Sequence, residues 1–252
     1  MGHSCHASFS QKARHGENLN TDTVVLLPGL DGTGMLFADL ISALPPKLKV
    51  NIARYPTDRF LSYSELVPCV RDVLPGSCPF LLVAESFSTP LAAMLAATRP
   101  PNMAGLVLCA GFVTNPMGSW TLLVRVLARP LLFRLSPPRL ALEHFLVGAS
   151  APSALESGVR EVLRSVNPGV LAERVRAVLG CDARKDLART KIPVMYIQAE
   201  SDRLVRAESF REIRGLRPDT VLALVPGPHL LLQREPHKAA EIIVQFIRQL
   251  SD

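Results

Sequence analysis

Ser86 is the residue of this sequence whose surroundings best fit a nucleophile. A short apolar run, residues 80–85, changes at Ser86 into an Ala- and Leu-rich segment with helical spacing. Small residues stand two positions before it (Ala84) and two positions after it (Ser88), as in a strand–serine–helix turn of the form G-x-S-x-G. Large side chains at those positions would collide in so sharp a turn. The turn would present the serine Oγ to a base. A buried structural serine is the alternative for this motif alone.

A serine nucleophile needs a base, and the base needs a group that orients it. Asp202 follows the apolar run 194–199, and His229 stands in a Pro-Gly-Pro-His turn after the run 220–225. The chain order Ser, Asp, His, with each residue just beyond a strand, therefore predicts a catalytic triad of Ser86, Asp202 and His229. The alternatives are a helix cap for Asp202 and a core position for His229.

Other acidic and histidine residues compete for the same roles. Glu200 is the rival of Asp202, but it stands closer to the end of its strand. His144 and His237 are interpreted as surface or lid residues. Asp202 and His229 are therefore preferred.

A glycine-rich turn could supply the oxyanion site that this chemistry needs. The turn Pro28-Gly29-Leu30-Asp31-Gly32-Thr33-Gly34 follows the first apolar run. The main-chain N–H groups of Leu30 and Phe87 are predicted to form an oxyanion hole, in which each donor contributes about 10²–10³ in rate. Asp31 either faces this site or caps the helix that begins near Gly34, and capping is preferred.

These residues are positioned by alternating strands and helices. Six apolar runs of strand length are predicted as strands, at residues 21–27, 48–55, 80–85, 104–110, 194–199 and 220–225. Helical spacing follows most of them, which predicts an α/β fold with a mostly parallel, doubly wound sheet. Sites in such sheets form at the carboxyl ends of the strands, where the glycine-rich turn and Ser86 both stand.

The alternation is interrupted between residues 112 and 191. This interval is predicted to hold several helices, at 120–128, a shorter pair around Pro137-Pro138, 153–166 and 170–179. The domain organisation predicted is an N-terminal tail, 1–20, and one domain, 21–252, with 112–191 inserted as a helical lid. The segment 120–134 is strongly apolar and contains arginines, and no acidic residue occurs from Phe112 through Leu142.

The lid is predicted to line a hydrophobic substrate pocket. The residues proposed for that pocket are Leu30, Trp120, Leu123 and Leu127. Plain packing against the sheet and contact with an anionic membrane surface are the alternatives, and the pocket is preferred over both.

The motifs Leu27-Pro28-Gly29-Leu30-Asp31-Gly32-Thr33-Gly34 and Ala84-Glu85-Ser86-Phe87-Ser88 resemble those of the α/β-hydrolase fold esterases and lipases, in particular a bacterial carboxylesterase branch. They are also similar to plant plastid phytyl-ester and diacylglycerol acyltransferase-like proteins. The resemblance covers the chain from about Thr21 onward and implies acyl-ester chemistry through an acyl-serine, with no cofactor. Ser88-Thr89 replaces the Gly-Gly usual in this family, so the helix is expected to lie slightly further from its strand.

Composition limits the partners that need to be considered. The chain has 252 residues, is 48% hydrophobic and has a net charge of +6. Its basic residues are mostly scattered arginines, so a nucleic-acid partner is not expected. Five cysteines without C-x-x-C spacing favour free thiols in a reducing, cytoplasmic setting. A metal role for His3, Cys5 and His6 and a myristoylation start at Gly2 are both disfavoured, the latter because His6 replaces the Ser or Thr required.

The function predicted is that of a serine carboxylesterase acting on short- to medium-chain acyl esters. Acyl transfer or thioester hydrolysis on the same triad is the alternative within this chemistry. A non-catalytic module that binds a lipid or another small molecule in the same pocket is the alternative of a different class.

Overall fold

The sheet consists of six parallel strands. The computed structural model describes residues 21–251, so the predictions for His3, Cys5, His6 and the tail 1–20 lie outside the described residues. The strands are β1 (Thr23–Leu27), β2 (Lys49–Ile52), β3 (Phe80–Glu85), β4 (Met103–Cys109), β5 (Val194–Ala199) and β6 (Val221–Val225). The predicted α/β class and sheet are confirmed, and every strand pair in residues 21–251 is parallel.

The strand order is β2-β1-β3-β4-β5-β6. After β1 the chain forms β2 at one edge of the sheet. It then returns to the other side of β1, where β3 to β6 are added in sequence order. Parallel strands bring their carboxyl ends to one rim. Leu27 is in register with Ala84, and Glu85 is in register with Cys109. The turn after β1 and the serine after β3 are therefore neighbours at that rim.

Twelve α-helices surround the sheet within residues 21–251. They are α1 (Ala38–Ala43), α2 (Tyr63–Arg71), α3 (Thr89–Ala97), α4 (Thr121–Leu127), α5 (Pro130–Arg134), α6 (Arg139–Leu142), α7 (Ser153–Arg164), α8 (Pro168–Leu179), α9 (Arg184–Arg189), α10 (Ala207–Leu216), α11 (Leu231–Arg234) and α12 (Pro236–Ser251). None of them has the combination of length and hydrophobicity that crossing a bilayer requires.

Each face of the sheet has its own core. Strand residues alternate between the faces: Val25 and Leu27 pack with α2, α3, α9 and α10, whereas Val24 and Leu26 pack with α1, α11 and α12. Because both faces are covered, all five residues of β1 are buried. Strands buried on both faces consist of continuous apolar residues, so they can be predicted from the sequence.

The helices α4–α9 lie between β4 and β5. Helix α9 was not predicted, and its Leu187 belongs to the core on the α3 side of the sheet. Helices α7 and α8 pack at the rim instead, where Val159 contacts a cluster with Leu230, and Val170 contacts one with Leu30. The division of the chain into a tail, a domain and an inserted lid stays a prediction.

Candidate active site

Ser86 stands at the sharp turn between β3 and α3. Its φ is 47°, in the left-handed region that residues with a side chain rarely adopt. A short 3₁₀ turn, Ser86–Ser88, leads directly into α3. The strained corner directs the serine hydroxyl away from the sheet, so this backbone conformation agrees with the geometry that the sequence motif predicts.

The structure brings the three predicted triad residues together. His229 Nε2 lies 2.8 Å from Ser86 Oγ, and His229 Nδ1 lies 2.7 Å from Asp202 Oδ2. The other carboxylate oxygen, Oδ1, accepts hydrogen bonds from the main-chain N–H groups of Leu204 (2.8 Å) and Val205 (2.9 Å). Each of the three residues follows a different strand. The two main-chain N–H groups hold the Asp202 carboxylate in the orientation that contacts the imidazole.

The hydrogen-bond partners determine the roles of the two imidazole nitrogens. A carboxylate can only accept, so Nδ1–H donates to Asp202 and leaves Nε2 to accept the Ser86 hydroxyl proton. The side chains of His229 and Asp202 are 5% and 3% exposed. Burial lowers the pKa of His229, but the charge and hydrogen bond of Asp202, helped by Glu85, outweigh it and raise that pKa. The ring is therefore a strengthened base.

The competing residues do not reach the serine. Glu200 is exposed, and its N–H pairs with the carbonyl of Val225. His144 is exposed and contacts Arg203, and His237 is exposed on α12. Of these candidates, Asp202 and His229 are the ones hydrogen-bonded in series with Ser86, and their catalytic roles stay predictions.

The turn after β1 contains Leu30, whose N–H is one of the two predicted oxyanion donors. The Gly29 carbonyl accepts a hydrogen bond from the Gly32 N–H (3.1 Å), and in a trans peptide the Leu30 N–H points in the opposite direction. Leu30 and Phe87 line the same cavity as Ser86. Phe87 is also at the beginning of the helical segment, where N–H groups lack partners within the helix. This placement agrees with the predicted oxyanion hole, which stays a prediction.

Arg174 of α8 holds this turn, a role that no sequence motif indicates. Its Nη1 donates to the carbonyls of Leu30 (2.9 Å) and Asp31 (2.6 Å), and its Nη2 donates to that of Pro56 (2.9 Å). Arg174 is 1% exposed and stacks near the ring of Phe87. A Cβ at Gly32, whose φ is 71°, would lie 2.7 Å from Nη1, so glycine is required there on both counts.

A second set of hydrogen bonds fixes the beginning of the turn. The Ser88 hydroxyl donates to the Pro28 carbonyl, and the Tyr55 hydroxyl lies 2.7 Å from Ser88 Oγ. Because the Ser88 proton is committed to Pro28, Tyr55 is the donor to Ser88. The neighbouring Thr89 Oγ1 lies 2.8 Å from the Ser86 carbonyl. Of the two hydroxyl residues at the Gly-Gly position, Ser88 thus fixes the turn after β1, and Thr89 fixes the main chain at Ser86.

Glu85, directly before the serine, is a buried carboxyl group that was not predicted from the sequence. It is 2% exposed, and its Oε1 has no hydrogen-bond partner among the described residues. Oε2 accepts from Gln233 Nε2 at 3.3 Å. Burial and the nearby charge of Asp31 raise the pKa of Glu85 to about 7. Asp31 does not cap a helix, because its Oδ1 accepts from the N–H and hydroxyl of Thr33 instead.

A mainly apolar cavity of about 280 Å³ adjoins Ser86. Leu30 lines it, together with Val124, Leu163 and Val178 from the helices at the rim. Trp120, Leu123 and Leu127 line a larger groove of about 1100 Å³ beside it, and Val124 of α4 lines both the groove and the cavity. Their predicted part in a substrate pocket stays a prediction.

Four cysteines in the described part of the chain are free: Cys69, Cys78, Cys109 and Cys181. This agrees with the thiols predicted from the sequence, while Cys5 lies outside residues 21–251. Within the same residues, no group of three or more His, Cys, Asp or Glu side chains is arranged to hold a metal ion.

No protein-family model matches the chain, and no curated protein is similar to it in sequence. Solved structures are similar in fold. A lipase-esterase related protein from Clostridium acetobutylicum is 16% identical with a TM-score of 0.72, covering 92% of this chain and 96% of that one. A hydrolase from Oleispira antarctica is 15% identical with a TM-score of 0.76, covering 93% and 92%. An esterase from Exiguobacterium antarcticum is 12% identical with a TM-score of 0.74, covering 91% and 92%.

The chain has the α/β-hydrolase fold. This confirms the fold that the two motifs indicated in the sequence. The comparisons do not support the further resemblance to plant acyltransferase-like proteins. In this fold Ser86 follows β3, Asp202 follows β5 and His229 follows β6.

Proposed function

We propose that the chain is a serine carboxylesterase that hydrolyses short- to medium-chain acyl esters. The observation that carries the proposal is the continuous hydrogen-bonded series from Ser86 Oγ through His229 to Asp202, at 2.8 and 2.7 Å. A structural serine would not require a buried imidazole on its hydroxyl and a buried carboxylate behind it. The lipase-esterase related protein, the hydrolase and the esterase that share the fold add support for hydrolase chemistry.

The reaction would proceed in two steps. Ser86 Oγ attacks the ester carbonyl carbon while its proton passes to His229 Nε2, and Asp202 stabilises the imidazolium. The N–H groups of Leu30 and Phe87 donate to the oxyanion. The tetrahedral intermediate collapses as His229 returns the proton to the departing alcohol, leaving an acyl-serine. Water, deprotonated by His229, then attacks the acyl carbon, and the carboxylic acid leaves as Ser86 regains its proton.

The cavity indicates the kind of acyl group. Its lining beside Ser86 is largely leucine, valine and phenylalanine, so an alkyl chain is stabilised by burial and a charged group is not. At about 280 Å³ it is at the lower end of small-molecule pockets. This size favours short to medium acyl chains over long ones.

The test is the Ser86→Ala variant with p-nitrophenyl esters of increasing acyl length. We expect kcat to fall by about 10⁴–10⁶ because the nucleophile is lost. A fluorophosphonate probe should label the natural enzyme and not the variant. Ser157→Ala, an exposed serine on α7, is the matched control and should retain both properties.

Several outcomes would contradict the proposal. Hydrolysis by Ser86→Ala at a near-natural rate would exclude the acyl-serine. Absence of both labelling and turnover in the natural protein would favour a non-catalytic binding module. Partition of the acyl group mainly to an added alcohol, rather than to water, would favour an acyltransferase.

A further inference from the structure

The helices α4–α6 expose an unusual concentration of apolar side chains. Thirteen large apolar residues are exposed in the described part of the chain, and nine of them lie between residues 120 and 140. Leu122, Leu131 and Leu140 are 73%, 70% and 78% exposed. We call the segment 120–140 and its exposed side chains the α4–α6 surface. Single exposed leucines are ordinary, but so many on three consecutive short helices indicate an interaction surface.

The charge on the α4–α6 surface has one sign. Arg125, Arg129 and Arg134 are exposed, and none of them pairs with a carboxylate within residues 21–251. Arg139 is paired with Glu143 and Glu156, at 2.9 and 3.4 Å. No Asp or Glu occurs from residue 112 through 142. Three uncompensated cations therefore stand among the exposed leucines.

We propose that the α4–α6 surface docks on a membrane surface that contains anionic lipids. Apolar side chains bury themselves at the boundary between headgroups and acyl chains, while the arginines contact lipid phosphates. A lipid surface offers both contacts at once.

A second copy of the chain and the segment 1–20 are less complementary to the positive charge of the α4–α6 surface than an anionic membrane is. A second copy, related by a twofold axis, would place arginine opposite arginine in a chain whose net charge is already +6. The segment 1–20 contains Lys12 and Arg14 against Glu17 alone, so it is basic as well. Neither supplies the negative charge that the three arginines lack.

Docking would place the candidate active site next to the lipid. Val124 of α4 lines the cavity at Ser86, and Leu123 and Leu127 line the groove that shares Val124 and Leu204 with it. Resting on the proposed function, this position means that the substrates would be apolar esters supplied from the lipid surface. The docking itself does not depend on Ser86.

The experiment mixes the full chain with vesicles of phosphatidylcholine alone, or of phosphatidylcholine with phosphatidylglycerol, and measures co-sedimentation at low and high salt. We expect binding to the anionic vesicles only, and weaker binding at high salt. Trp120 is the only tryptophan and is 55% exposed on this surface. Its emission should therefore shift to the blue on binding, as an indole enters the interface.

Variants locate the contact. Arg125→Gln/Arg129→Gln/Arg134→Gln should weaken binding about 100-fold, since each surface arginine contributes about fivefold. Arg71→Gln/Arg214→Gln/Arg248→Gln removes three exposed arginines of α2, α10 and α12 and should bind as the natural chain does. Leu122→Ser/Leu131→Ser/Leu140→Ser should also weaken binding. Because all these side chains are exposed, the unfolding midpoints should change little.

Three results would overturn the docking proposal. These are no binding to anionic vesicles, equal loss of binding in the two arginine variants, and a dimer in solution that the leucine variant dissociates. Ser86→Ala should bind the vesicles unchanged. Vesicle binding by the natural chain without ester hydrolysis would contradict the enzyme assignment alone, and hydrolysis without vesicle binding would contradict docking alone.

Discussion

At the residue scale, the candidate site combines one residue with a strained backbone and two residues with buried side chains. Ser86 carries the backbone strain, with a φ of 47°, and His229 and Asp202 carry the buried charge. The chain order of the three residues could be predicted from the sequence because each follows a clear apolar run. The burial of Glu85 could not be predicted from the sequence, because a carboxyl group at the end of a strand is buried only where helices cover both faces of the sheet.

Asp202→Asn should inactivate the enzyme by changing the imidazole tautomer. Two N–H groups hold Oδ1, so the oxygen of asparagine would stay there and its amide would face His229. The amide donates to Nδ1, which leaves Nε2 protonated and unable to accept from Ser86. We expect kcat to fall by about 10⁴, measured with a p-nitrophenyl ester.

The pH profile of the same variant checks the cause. The natural pKa of His229 is raised by Asp202, and only the neutral ring can act as a base. Activity of the natural enzyme should therefore be lost on acidification at a pH above the ordinary histidine value of about 6.5. In Asp202→Asn the residual activity should persist to lower pH. An unchanged acidic limb would mean that another group controls it.

Glu85→Gln should remove a pH dependence of stability. The pKa of Glu85 is raised from 4.5 to about 7, so the folded protein keeps a proton that the unfolded chain releases. The contribution of Glu85 to stability is therefore fully present below a pH of about 4.5 and is lost as the pH rises to about 7. A pKa difference of about 2.5 corresponds to about 3 kcal/mol.

Urea unfolding at several values between about pH 5 and pH 8 measures this effect. The free energy of unfolding of Glu85→Gln should decline less across the range than that of the natural protein. Glu161→Gln, which replaces an exposed residue on α7, should decline in parallel with the natural protein. Parallel curves for all three would show that the Glu85 carboxyl group does not carry the dependence.

At the element scale, the turn after β1 is held by three parts of the chain. The Tyr55–Ser88 pair fixes the Pro28 carbonyl, and Arg174 of α8 fixes those of Leu30 and Asp31. Helix α8 is therefore coupled to the predicted oxyanion donor. Leu30 and Arg174 are 144 residues apart in the chain, and no local pattern can indicate a contact of that kind. Helix α9 was missed because its six residues are mostly charged.

Arg174→Lys should misplace the oxyanion turn without removing any donor. A lysine ammonium is a single point and cannot reproduce a planar fork that reaches three carbonyls. Loss of one oxyanion donor lowers kcat by about 10²–10³, and displacement should cost about 10–100-fold. KM for a short ester should remain near its natural value.

Fluorophosphonate titration separates positioning from folding. If Arg174 positions the turn, kcat per labelled site falls while the variant remains folded. If Arg174 only supports the fold, the number of active sites falls and kcat per site is natural. Arg176→Lys changes an exposed arginine of the same helix that pairs with Glu173, and it should alter neither quantity.

At the scale of the whole molecule, the sheet meets the segment between β4 and β5 at Gly111. Its carbonyl accepts from the Tyr196 hydroxyl (2.8 Å), and a Cβ there would lie 2.4 Å from Thr89 Cγ2. Thr89 cannot rotate freely, because its hydroxyl contacts the Ser86 and Phe112 carbonyls and its β-branch restricts χ1. This junction couples β4, β5, α3 and the beginning of the segment between β4 and β5.

Gly111→Ala should therefore destabilise the whole chain, by about 1–3 kcal/mol as overpacking of a filled site does. Gly158→Ala is the matched control in α7, where a Cβ would meet nothing within 4 Å. That substitution should instead stabilise by up to about 1 kcal/mol, because alanine favours a helix over glycine. Urea unfolding followed by circular dichroism measures both changes.

Trp120 fluorescence adds a second probe, since the single tryptophan precedes α4 in the segment between β4 and β5. If the junction at Gly111 joins this segment and the sheet into one cooperative unit, fluorescence and circular dichroism give coincident transitions, and Gly111→Ala lowers both transition midpoints together. If fluorescence changes at a lower urea concentration than circular dichroism, the helices at the rim unfold separately. Gly111→Ala should then act on the sheet transition alone, and the coupling inferred from the Thr89 contacts would be wrong.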